Sequence, residues 1–206
     1  MKKVQTNSSG LTLIEITLSM SIFGILIVSV VALLIYYLKN YSFSFAEHES
    51  VSTTQTAITT MIREIRELRK SQTGSWPIVE ALDNSFTFYS DVTNDGQADR
   101  VRYFLSGHDL TKGVIEPTGL PAMYVPENEV FYNISSNVQS QGLPLFTYYN
   151  GDWPADQIQN PLIPEPRTYQ TRFIRVYLRI AGTVASDAAP FEISTGTMLQ
   201  NLKDNL

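Results

Sequence analysis

From Leu11 to Leu38 the chain reads LTLIEITLSMSIFGILIVSVVALLIYYL, interrupted only by small hydroxyl residues, Gly24 and one acid, Glu15. As a helix rising ~1.5 Å per residue, about 28 residues reach ~42 Å, more than the ~30 Å of a hydrocarbon core. Lys2 and Lys3 precede the run and the next positive charge, Lys39, comes after it. That asymmetry puts the short N-terminus in the cytoplasm and the remainder outside. The flank beyond the run, KNYSFSFAEHES, lacks the spaced small residues of a secretory cleavage site, so the helix is expected to stay attached. The rest of the chain has room for one soluble domain of roughly 130 to 160 residues, enough to bury a core.

Composition narrows the chemistry of that domain. Fifteen basic against 20 acidic residues give a net charge of -5, which carries no nucleic-acid footprint. The absence of Cys removes disulfides, thiolate metal sites and thiol nucleophiles together. His48 and His108 are the only histidines, and the Ser, His and Asp of SGHD, Ser106 to Asp109, are immediate neighbours. Catalytic triads converge from separated elements, so SGHD is expected to form a turn.

The near flank of the apolar run is more specific. A short basic leader, MKKVQTNSSG, ends in Gly10 and is succeeded by Leu11, Thr12, Leu13, Ile14 and Glu15. This pattern resembles the class III leader of type IV prepilins and type II secretion pseudopilins. The resemblance implies cleavage by a prepilin peptidase on the cytoplasmic side. Gly10 is then the residue before the cut and Leu11 the new, methylated N-terminus, although Phe is usual at that place. Glu15 becomes the acid at the fifth mature position. An ionised carboxylate at the bilayer edge costs a few kcal/mol unless it is paired. The α-amino group that cleavage creates on Leu11 of a neighbouring subunit is the implied partner, in a medium where pairing is stronger than in water. The other reading of the same helix is an uncleaved signal anchor.

Helical signal continues past the run. Val51, Ile58, Met61, Ile62, Ile65 and Leu68 form one stripe, while Arg63, Glu64, Arg66, Glu67, Arg69 and Lys70 read as a solvated face. A bend is expected at AEHESVSTTQT, rich in weak helix formers, and GSWP, Gly74 to Pro77, is expected to end the helix. If continuous from Leu11 to Lys70 the helix is ~90 Å long, a stem. The expected organisation is a leader over 1–10, a transmembrane and assembly helix over 11–38, the extracytoplasmic half of the stem over 39–73, and a β-rich head over 74–206. In the head, SFTFYSD, ADRVRYFLSG and DLTKGVIEP form a three-strand meander, and VFYNIS, LPLFTYYNG, TRFIRVYLRIAG and FEISTGTML supply further strands. The segment between Asn150 and Pro166 is expected to be a loop whose Trp153, Ile158 and Leu162 pack on the head.

The order of these features is similar to that in minor pseudopilins of the J class and PilW-like minor pilins. The resemblance implies an α+β fold with a long N-terminal helix packed by its second half on antiparallel sheet, and no catalytic residues. It implies as partners the peptidase, other pilin or pseudopilin subunits, an inner-membrane assembly platform, and membrane lipid before assembly. One constellation suggests a metal. In DVTNDGQAD, Asp91, Thr93, Asp95 and Asp99 fall at the first, third, fifth and ninth places of a calcium-loop spacing, with Gly96 at the sixth. The twelfth place is Arg102 rather than Glu, and Asn94-Asp95-Gly96 between strands is by itself hairpin chemistry. Two classes of function stand: a filament subunit, or a signal-anchored binding protein or enzyme.

Overall fold

The computed structural model describes residues 12–139, 141–180 and 190–202, without the side chains of 39–54. Gly10 and Leu11 therefore lie outside the described residues, as does the Val51 side chain. The chain is an N-terminal apolar helix with antiparallel sheets. It divides into two compact units, Met1–His48 and Glu49–Leu206.

Helix α1 runs over Leu13–Arg66, 54 residues, and contributes to both units. It is helical without a break through AEHESVSTTQT. It also ends earlier than GSWP. The last turn tightens through Leu68 N to Ile65 O at 3.4 Å, and Arg69 N then donates to Tyr89 O of the sheet at 2.8 Å. Asn201 Nδ2 takes up the Leu68 carbonyl at 2.6 Å. Strand pairing thus captures the backbone before Gly74 is reached; Gly74, at φ +79, instead closes a separate turn onto Ser71 O.

Within the unit from Glu49, β1 (Ile78–Ala81), β2 (Ser85–Ser90), β3 (Asp99–Ser106), β4 (Asp109–Ile115) and β5 (Val130–Ser135) form a five-stranded antiparallel sheet in chain order. A second sheet pairs β6 (Phe146–Tyr149), β7 (Phe173–Ile180) and β8 (Phe191–Met198). The short helix α2 (Arg167–Gln170) precedes β7. The strand β1 was not expected; four residues behind a proline, with a bulge between Ile78 and Glu80, leave little periodicity to read.

The helix stripe and both sheets meet in one core. Ile58, Met61, Ile65 and Leu68 of the α1 end pack with Phe86, Phe88, Val101 and Tyr103 of the first sheet and Phe146, Tyr148, Ile174 and Val176 of the second. Alternation along β3 and β7 sets this arrangement, since every second side chain turns inward. In the Asn150–Pro166 loop, Leu162 is buried and Trp153 lies 4.5 Å from the Tyr149 ring, as expected. Ile158 is 98% exposed, a correction: the turn that Asp156 Oδ1 makes by accepting from Ile158 N and Gln159 N holds its side chain off the core.

Candidate functional site

The start of α1 is the first candidate. Thr12 stands just before the first helical residue and Glu15 at the third helical position. Glu15 Oε2 accepts from the Thr12 backbone N at 2.9 Å and from its hydroxyl at 3.0 Å, while Glu15 N reaches back to Thr12 Oγ1 at 3.4 Å. These reciprocal contacts are a capping box, signalled in the sequence by Thr-x-x-Glu and passed over there. The carboxylate also sits at the favourable end of the helix dipole. Glu15 therefore has an intramolecular task as well as the charge the sequence marked.

Behind it, Leu13–Leu38 is a 26-residue apolar stretch with exposed side chains, the one helix among the described residues long and apolar enough to cross a membrane. Three of its hydroxyls are satisfied within the helix: Thr17 Oγ1 donates to Ile14 O, Ser21 Oγ to Thr17 O and Ser29 Oγ to Ile25 O, at 3.0, 2.8 and 2.8 Å. In hydrocarbon, where no water is available, internal satisfaction of this kind is what a spanning segment requires.

The calcium-spaced residues come together as a turn. Asp91 accepts from Asp95 N and Gly96 N at 3.2 and 3.1 Å, and its Oδ2 meets Arg69 Nη2 at 2.6 Å. Buried Asp99 takes the N–H groups of Val92 and Thr93 and the Thr93 hydroxyl on one oxygen. Asp95 holds Gln97 N at 2.8 Å. Asn94 and Gly96 adopt φ +60 and +88, the left-handed conformations such a turn needs. Asp91, Asp95 and one oxygen of Asp99 are engaged by the turn's own donors and by an arginine, while the buried Asp99 Oδ1 has no hydrogen-bond partner among the described residues. Among the described residues no cluster of three or more His, Asp or Glu is placed to hold a metal ion.

SGHD is the β3–β4 turn. Ser106 pairs with Asp109, and Gly107 at φ +63 takes the first central place, as expected of neighbours joined by a hairpin. The charged face of α1 is less solvated than its pattern suggested. Glu64 is buried, accepting from Tyr103 Oη at 2.7 Å and from Lys112 Nζ at 2.7 Å. Burial, and then the Glu64 charge beside it, push the Tyr103 hydroxyl far above its ordinary range. Arg69, likewise assigned to solvent, ties the helix exit to Asp91 and to Gln97 O. These contacts bind helix to sheet and present no nucleophile beside a base.

Comparison with protein-family models and with curated proteins returned no match.

Proposed function

We propose that this chain is a minor pilin or pseudopilin subunit, cut after Gly10 by a prepilin peptidase and built into a type IV pilus or type II secretion pseudopilus. In this reading Leu13–Leu38 holds the subunit in the cytoplasmic membrane and later packs among the helices of other subunits. The β-rich unit lies outside and acts by contact rather than catalysis. The observation that supports it best is a single acid, Glu15, fixed in the first turn of a membrane-length apolar helix. Ile58, Met61, Ile65 and Leu68 of the same helix contribute to the core of an antiparallel β unit.

The test is Glu15→Ala at membrane abundance equal to that of the parent. Insertion and peptidase cutting are expected to persist, because removing the acid lowers a membrane penalty of up to a few kcal/mol. Cross-linking to other pilin-like subunits is expected to fall, since the amino terminus of a docking neighbour loses its counter-charge. Unchanged cross-linking and filament content would take Glu15 out of the assembly argument. The capping box favours a second reading, an uncleaved signal anchor, because it satisfies Glu15 with no partner at all.

A further inference from the structure

We propose that the free edge of β5 accepts an extended strand from a partner protein, and that this strand carries a lysine or arginine at the end lying over Glu116. β5 is last in its sheet, so among the described residues the outer row of backbone N–H and C=O groups from Val130 to Asn133 meets no strand. Its sequence, VFYNIS, has no charge and no proline. Val130, Phe131 and Tyr132 are 53, 56 and 52% exposed, on both faces of the strand. Edges left open in isolated proteins are protected by lysine, proline, a bulge or a covering element. β5 is bulged at Ile134, between its pairings of Asn133 with Thr111 and of Ser135 with Leu110, but along Val130, Phe131 and Tyr132 it has none of these, which leaves that stretch open to be covered.

A second observation states what covers it. A groove of about 540 Å³ runs along the same margin of the sheet, walled by Val114, Val130, Tyr132 and Ile134 and including Lys112 and Glu116. Cross-strand pairing of Lys112 with Tyr132 and of Val114 with Val130 places these side chains on one face. A strand hydrogen-bonded to β5 sends alternate side chains toward that face, and a groove of this size receives them. Charge selects the occupant. Lys112 is neutralised by Glu64 at 2.7 Å, whereas Glu116 has no ion pair among the described residues. The groove's net charge is thus one carboxylate, and its complement is a cation. A second copy of β5 fits poorly, because VFYNIS brings none. The inference rests on the β-rich unit alone and stands apart from the filament reading.

Fluorescence anisotropy with the full chain in detergent micelles tests it. The probe is a labelled short peptide of alternating threonine and valine ending in Lys-Arg. Saturable binding is expected, with amide-exchange protection gained within residues 130–133. A version N-methylated on alternate backbone nitrogens, and one ending in Glu-Glu, are each expected to bind about tenfold more weakly. Glu116→Lys, an exposed position away from the core, is expected to reverse the end preference. Absence of saturable binding, equal binding of the N-methylated peptide, or an unaltered preference in the Glu116→Lys variant would overturn the proposal. So would self-association of the chain through β5 in the absence of peptide.

Discussion

Glu64 joins a helix to two strands through one carboxylate: Tyr103 on β3 and Lys112 on β4 both donate to it at 2.7 Å. Breaking a buried pair from one side strands a charge, so Lys112→Met is expected to cost about 2–4 kcal/mol, somewhat under a fully buried pair because both side chains keep some solvent. Replacing both partners, Glu64→Leu with Lys112→Met, is expected to recover most of that loss in urea titrations. The phenols add a pH dependence. Burial raises the hydroxyls of Tyr103 and Tyr148 well above their ordinary value. A group whose folded pKa is raised contributes stability that is complete below its unfolded pKa, ~10 for Tyr, and is lost as pH rises beyond it. Melting temperature is therefore expected to hold up to about pH 9.5 and fall above pH 10, less steeply in Tyr103→Phe. None of this was legible in the sequence. Helical spacing identified Met61, Ile65 and Leu68 as core, but it reads any charged residue off that stripe as solvated. Only the lysine on a strand far away in sequence makes burial of Glu64 tolerable.

At the scale of elements, the long alternating strands declared themselves, because period-two patterning in RVRYFL and FIRVYL has one physical reading. The short edge strand β1 and the end of α1 did not, since both are set by pairing with β2 rather than by local residues. The start of α1 was legible and only half read: Thr-x-x-Glu signals a capping box as plainly as the apolar run signals a span. Glu15→Gln separates the cap seen at Thr12 from the proposed charge pairing. Glutamine still accepts from Thr12, so helix initiation is expected to survive; charge pairing is lost, so entry into filaments is expected to fall as it does for Glu15→Ala. Filament entry equal to that of the parent would mean that capping is the acid's whole task. In the sheet, Gly113 lies beneath a side chain. A Cβ there would overlap Glu129 Oε1, and Glu129 reaches across to hold Arg102 through two bonds of 3.0 and 2.8 Å. Gly113→Ala is expected to expel Glu129 and cost about 1 kcal/mol, with little further loss from then adding Glu129→Ala.

For the whole molecule, the stripe on α1 and both sheets share one core from Ile58 onward, so a chain beginning at Glu49 has what it needs to fold alone. Such a chain is expected to be soluble and to melt in one cooperative step, and a gradual, non-cooperative melt would count against it. The apolar span is then an attachment to a self-sufficient unit, which is the organisation that a processed, assembling subunit requires. Gly10 and Leu11 were legible only through the leader pattern they complete. In the proposed reading their chemistry is covalent processing, so the most direct measurement is the mass of the N-terminus after co-expression with a prepilin peptidase. The account predicts a chain beginning at Leu11, freed of Lys2 and Lys3, with Gly10 substituted by a bulky residue blocking the cut. An intact Met1 terminus, in cells where a related prepilin is cut, would contradict it.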